Sequence, residues 1–291
     1  MRVSDSWTDY ELIDASCGNR LERWGEYILV RPDPQVIWDT PKEDPAWHRA
    51  HGVYRRSKAG GGAWTNYGMP DNWTIGYREL TFRLRPMGFK HTGLFPEQAQ
   101  NWDLTSSLIS ARVKEGRAVS VLNLFAYTGG ATAAAAKAGA SVCHVDASKG
   151  MVQAAKENLK LSGLETAPVR YIVDDCKKFV EREIRRGHTY DGIIMDPPSY
   201  GRGPGGEVWK LEEAAFGLIS LAVKLLSPEP LFFLINSYTT GISPSTMGYM
   251  LEYSMGNRAA HGRIIADELG LPVKRSGLVL PAGASTIWME Q

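Results

Sequence analysis

The sequence predicts an α/β protein, a mostly parallel, doubly wound sheet with helices on both faces, joined to a smaller β-rich N-terminal domain. Two observations carry this. From Glu97 onward, short apolar runs alternate with helix-patterned stretches in the order βαβαβαβαβ, an order that closes into a parallel sheet. Before that point, brief apolar stretches are punctuated by Gly, Pro and Asp, the texture of short antiparallel strands. The expected division is residues 1–90 for the β-rich domain, a candidate for substrate recognition, and 91–291 for the sheet domain.

The chain's 291 residues are enough for two cores, and its charge is nearly balanced: 33 Lys and Arg against 32 Asp and Glu. Balance argues against broad, charge-driven nucleic-acid binding, but leaves room for a local basic face. No apolar run approaches the ~18 residues of a membrane span, and Met1 is not followed by a signal-peptide pattern, so a cytoplasmic protein is expected. Cys17, Cys143 and Cys176 are far apart, with no C-x-x-C pair, which fits reduced packing cysteines. No His, Asp or Glu cluster has ligand spacing, so no metal is expected.

In the N-terminal part, Tyr27–Val30 and Leu80–Leu84 read as strands. Trp7, Trp24, Trp38, Trp47, Trp64 and Trp73 all lie here, interleaved with Arg55, Arg56 and Lys58. Such aromatics either fill the core of a small β domain or stack on unpaired bases, and the sequence leaves both open. Gly60-Gly61-Gly62 reads as a loop within this domain.

Glu97–Lys114 opens the second part as a helix. Strands are expected at Val119–Phe125, Ser141–Asp146, Val169–Val173, Asp191–Asp196 and Leu231–Asn236. Between them lie helices at Gly130–Ala138, Lys149–Ser162, Cys176–Arg186 and Leu211–Leu226. Arg263–Leu269, Gly277–Leu280 and Ser285–Met289 read as closing strands with an antiparallel hairpin.

The chemistry gathers at the ends of these strands. Val121–Gly130 is a buried strand running into a glycine turn and the alanine-rich helix that follows. Glycine permits close backbone approach, and the helix N-terminus offers free N–H groups to an anion. About seventeen residues past Gly129, the next strand ends in Asp146, placed to accept ribose hydroxyls. The third ends in Asp174-Asp175-Cys176, where a carboxylate can accept from an adenine amino group, and the fourth in Asp196-Pro-Pro-Ser-Tyr200. Each carboxylate has a plainer reading as a helix cap. The turn lacks G-x-G-x-x-G and G-K-[ST], which disfavours nicotinamide dehydrogenases and P-loop enzymes.

Asn123–Gly130, Asp146, Asp175 and Asp196-Pro-Pro, together with Lys90-His-Thr-Gly-Leu-Phe-Pro-Glu-Gln98, resemble the class I methyltransferases that use S-adenosylmethionine (SAM). More narrowly they resemble the bacterial large-subunit ribosomal RNA group of cytosine-C5 and guanine-N7 enzymes. The resemblance runs from about residue 89 to the C-terminus, and weakly into the β-rich N-terminal part, and implies a seven-stranded Rossmann-like domain with SAM as cofactor. It implies that Phe95 and Gln98 flank the cofactor, and that Asn123, Phe125, Thr128 and Gly129 line its methionine part. Asp146 would bind the ribose, Asp175 and Cys176 the adenine, and Asp196 would face the reacting centre with Pro197 and Pro198 fixing its loop. Glu97 stands where that group has Asp, and Asn236-Ser237-Tyr238 where its C5 members carry a cysteine. A cytosine-C5 product is therefore disfavoured unless Cys143 or Cys176 moves into place.

Methyl transfer from a sulfonium needs alignment above all. The expected catalytic set is Asp196, Pro197 and Tyr200. Asp196 or the Pro197 carbonyl would accept an N–H, and Tyr200 stands one residue beyond the usual stacking position. The glycine-rich segment Gly201–Lys210 reads as a mobile loop, with Arg202, Trp209 and Lys210 beside Tyr200 as substrate-binding residues; Trp209 is alternatively a packing anchor. Arg182, Arg185 and Arg186 read as a solvated helix face. The expected reaction is methylation of an RNA base nitrogen, with ribosomal RNA as partner and a role in its processing. The alternatives are a small-molecule or protein methyltransferase, or a non-catalytic SAM-binding, RNA-associated module.

Overall fold

A computed structural model describes residues 1–57, 61–202, 208–239 and 241–291. Lys58, Gly60 and residues 203–207, on which part of the loop expectations rest, lie outside these, as does the Arg202 side chain. The chain divides into two units, Met1–Ala99 with Gly270–Ala282, and Gln100–Leu269 with Gly283–Gln291.

In the first unit a five-stranded sheet runs in the order Tyr10–Ser16, Asn19–Trp24, Tyr27–Pro32, Gly52–Arg56, Gly62–Asn66, and Trp73–Tyr77 pairs with Leu80–Leu84 as a separate hairpin. Pairing is antiparallel except between Tyr27–Pro32 and Gly52–Arg56, which run parallel. Trp24 and Trp73 are buried, so for these two the core-filling reading holds; Trp38 is exposed and Trp47 half-buried. Glu22 sits fully buried among them, bridged by Arg31 through two hydrogen bonds of 2.6 and 2.8 Å. Burial pushes the Glu22 carboxyl up, but Arg31 and Arg20 outweigh it and hold the group at about 2. Ser4 N donates to Gly270 O at 2.9 Å, which ties the N-terminal residues to the Gly270–Ala282 segment of this same unit.

The second unit is built on seven strands: β1 (Ser120–Leu124), β2 (Ser141–Asp146), β3 (Val169–Val173), β4 (Gly192–Met195), β5 (Phe232–Ser237), β6 (Gly262–Pro272) and β7 (Val279–Glu290), the last two continuing into the first unit. Their order is β6-β7-β5-β4-β1-β2-β3. β5, β4, β1, β2 and β3 are parallel, and β7 runs antiparallel to β5. The helices are α1 (Ala99–Lys114), α2 (Gly130–Lys137), α3 (Lys149–Leu161), α4 (Cys176–Arg186), α5 (Leu211–Ala222) and α6 (Pro244–Met255). Both sheet faces carry apolar cores. Leu122, Leu124, Ile193, Phe233 and Trp288 lie in one; Val121, Val142, Ile194, Leu234 and Ile287 lie in the other. That alternation along each strand is why the runs are apolar throughout.

The expected α/β order is present, with three local corrections. The expected strands at Gly277–Leu280 and Ser285–Met289 are one continuous strand, β7. Gly201–Lys210 is not a simple loop, because Tyr200–Arg202 and Val208–Lys210 pair antiparallel. Helix α6, which the sequence reading did not anticipate, begins at Ser243, whose side chain accepts from Thr246 N, with Pro244 at the first helical position. Among the described residues no helix is long and apolar enough to cross a membrane.

Candidate active site

Parallel register sets the geometry. Leu124 is level with Val145 on one side and Met195 on the other, and Met195 with Ile235. The next residues, Phe125, Asp146, Asp196 and Asn236, therefore form one row at the C-terminal edge of the sheet, where open α/β sheets bind ligands. The row is tied by backbone bonds: Asp196 N donates to Leu124 O at 3.3 Å and Ala126 N to Val145 O at 3.1 Å.

After β1 the backbone turns through left-handed conformations at Phe125 (φ 56°), Tyr127 (φ 50°) and Gly129 (φ 84°). Non-glycine residues adopt these angles at a cost of about 1–3 kcal/mol each, so the surroundings must hold them. Asp146 does so at Tyr127, whose N–H donates to Oδ2 at 2.9 Å, while Oδ1 accepts from Ser148 N at 2.8 Å. Burial pushes the Asp146 carboxyl above its ordinary range, and these two backbone N–H groups only partly offset it. At Gly129 a Cβ would lie 2.8 Å from the Ala155 Cβ of α3, and at Gly130 one would lie 2.6 Å from the Trp102 ring. The turn is thus pressed against two helices and leaves its N–H edge at the start of α2.

Behind the turn is a buried polar chain that the sequence reading missed. The Asn123 amide donates to Thr132 Oγ1 at 2.9 Å, and the Thr132 hydroxyl shares a hydrogen bond of 2.9 Å with His144 Nδ1. Desolvation holds His144 down at about 4, so it is neutral. Its Nε2 is buried with no hydrogen-bond partner among the described residues. Asn158 of α3 donates to Thr128 O at 2.8 Å, another hold on the turn. The signal for this network was a polar residue, His144, inside an otherwise apolar strand.

At the third strand, Asp175 caps α4, one carboxylate oxygen accepting from Lys178 N at 2.9 Å, while Asp174 pairs with Arg182. Arg182 is therefore more than a solvated residue. Cys176 is buried and its sulfur accepts from Phe125 N at 3.2 Å. Burial pushes the Cys176 thiol far up and the Cys143 thiol up as well, so both stay protonated.

At the fourth strand, Asp196 is half-buried, Pro197 buried and Tyr200 exposed. The short hairpin braces this segment: Trp209 Nε1 donates to Pro198 O at 2.7 Å, and its ring lies 6.0 Å from that of Phe125. Lys210 pairs with Glu213 at 2.7 Å. At the end of β5, Asn236 accepts from Asn101 at 2.9 Å, and Asn236 and Ser237 are both buried. Phe95 and Gln98 belong to the first unit, Phe95 half-buried before the 3-10 turn Pro96–Gln98 and Gln98 buried within it.

The arrangement fits a nucleoside with a charged tail: a helix start that no side chain caps, and a carboxylate one strand away. Known proteins agree. Residues 42–213 match the family of S-adenosylmethionine-dependent methyltransferases. The SAM-dependent methyltransferase of Agrobacterium tumefaciens is 36% identical over 100% of this chain and 93% of its own, with a TM-score of 0.92. A Streptococcus mutans methyltransferase shares the fold at 20% identity and a TM-score of 0.73, over 98% of this chain and 76% of its own. Ribosomal RNA large subunit methyltransferase K/L of Shewanella baltica is 36% identical over 149 residues, which is 50% of this chain and only 20% of that protein.

Proposed function

The chain belongs to the S-adenosylmethionine-dependent methyltransferase family, and from that premise we propose that it methylates a ring or exocyclic nitrogen of an RNA base, in the simplest case ribosomal RNA, by direct in-line transfer. The observation that carries this reading is the row of Phe125, Asp146 and Asp196 at the strand tips. Beside it the Asp196-Pro-Pro segment is braced by Trp209, and the thiol touching the turn is held protonated. The match to part of the ribosomal RNA methyltransferases supports the substrate class.

When bound, SAM supplies an electrophilic methyl group on its sulfonium. In this reading the residues of the chain bind and orient. Asp146 accepts from the ribose hydroxyls, Asp175 and Cys176 lie at the adenine, and Asn123, Phe125, Thr128 and Gly129 line the methionine part. A ring nitrogen attacks with its own lone pair. An exocyclic amine needs an acceptor for its N–H, which the Asp196 carboxylate or the Pro197 carbonyl provides. Tyr200, Trp209 and Lys210 hold the base and its phosphate, and a base within folded RNA would be splayed out to reach them.

The test is incubation with radiolabelled SAM and total ribosomal RNA, followed by digestion to nucleosides. Label in an N-methylated base, lost in Asp196→Ala, is the expected result. Label confined to protein or small molecules, or a C5-methylated cytosine, contradicts the proposal.

A further inference from the structure

The β-rich first unit holds a cavity of about 570 Å³, lined among others by Asn19, Lys42, Trp47, His48, Arg55 and Arg56. Among the described residues its lining contains no aspartate or glutamate. Of the nearby carboxylates, Asp33 pairs with Arg20 at 2.8 Å and Glu43 with Arg275, while Asp44 caps Ala46 N, Asp39 accepts from Cys17 Sγ at 2.7 Å and Asp14 accepts from Trp47 Nε1. Arg55 and Arg56 are exposed, and neither carries an ion pair with another described residue. The described lining thus carries Lys42, Arg55 and Arg56 and no carboxylate, a local basic patch on a near-neutral chain.

Trp47 gives the cavity an apolar wall. Its indole N–H donates to Asp14 Oδ2 at 2.9 Å, which fixes the ring, and the Lys42 ammonium lies 4.5 Å from the ring centre. Fixed aromatic surface beside exposed guanidinium groups is the chemistry that holds a single strand of nucleic acid, with phosphates on the cations and a base or sugar against the ring. We propose that this cavity is a second RNA contact, binding a single-stranded segment of the substrate through its phosphates at Arg55, Arg56 and Lys42. The proposal rests on the RNA reading above and concerns residues that reading does not use.

The test measures, on the full chain, fluorescence anisotropy with a short unstructured oligoribonucleotide across a salt series, and methyl transfer to ribosomal RNA. The variants are Arg55→Ala with Arg56→Ala, Lys42→Ala, and a control pair Lys160→Ala with Arg185→Ala in the second unit. S-adenosylhomocysteine binding checks that each variant is folded. Losing two single-strand phosphate contacts makes the slope of log K against log salt shallower by about 1.4 and weakens low-salt binding on the order of tenfold. We expect that change in the arginine pair, a smaller one in Lys42→Ala and none in the control pair, with KM for RNA raised and kcat unchanged. Methylation of RNA with the same KM and salt slope in the arginine pair overturns the cavity proposal and leaves the RNA reading standing, as does an equal loss in the control pair. RNA bound through the arginines without any methyl transfer supports the cavity and removes the RNA-methylation reading. Neither binding nor methylation of RNA by the wild type overturns both.

Discussion

The Asp146 carboxylate accepts the backbone N–H of Tyr127 at 2.9 Å, joining the tip of β2 to a residue held at a φ of 50°. One side chain thus fixes the strained turn after β1 and stands at the strand tip where a ribose would be bound. Because burial raises its ionisation range, the charged form that accepts best is lost earlier on acidification than for an ordinary aspartate. Affinity for S-adenosylhomocysteine is expected to fall as pH drops through this raised range, and titrations at successive pH values check it. Asp146→Asn should flatten the dependence.

Gly129 combines a φ of 84° with a Cβ position 2.8 Å from Ala155 Cβ. Gly129→Ala adds backbone strain to a clash with α3, and a loss of about 1–3 kcal/mol is expected in urea unfolding. Gly187→Ala, at the same kind of left-handed φ but with open space around it, should cost about 1 kcal/mol. Equal losses would show that packing on Ala155 contributes nothing.

Cys176 and Cys143 are buried and protonated while Cys17 is exposed. Iodoacetamide at neutral pH is expected to label Cys17 alone in the native protein, read by peptide mass mapping. A Cys17→Ala, Cys143→Ala, Cys176→Ala protein should retain methyl transfer within about tenfold, the residual loss coming from the Phe125 N–H contact and core packing. Complete inactivity in a folded triple variant would restore a thiol mechanism.

His144 sets an acid limit on stability. Its folded value of about 4 lies below the ordinary histidine value, so the unfolded chain takes up a proton first. Stability is full above about pH 6.5 and falls as pH drops toward 4, by up to about 3 kcal/mol from this group. Chemical unfolding across that window checks it. His144→Gln should remove much of the slope while keeping a partner for Thr132.

The sheet was legible because each parallel strand is a short apolar run bounded by turn residues, and Ser148 and Asp175 mark their helix starts by capping. The carboxylates at the strand tips were legible from spacing alone. What they bond was not: the bond from Tyr127 to Asp146 depends on a left-handed turn at non-glycine residues, which no local pattern announces. Nor was the brace from Trp209, since a glycine-rich segment reads as loop whether or not its ends pair. Helix α6 was readable from Ser243-Pro244, but the exposed Tyr249 and Tyr253 blur the buried face of Met247, Leu251 and Met255 in the sequence pattern.

The most direct measurement of the cofactor site is calorimetric titration of S-adenosylhomocysteine into the wild type and Asp146→Ala. The account predicts saturable one-to-one binding that weakens tenfold or more in the variant, a loss of at least about 1.4 kcal/mol. Binding of equal strength in a folded variant, or none by folded wild type, would contradict it.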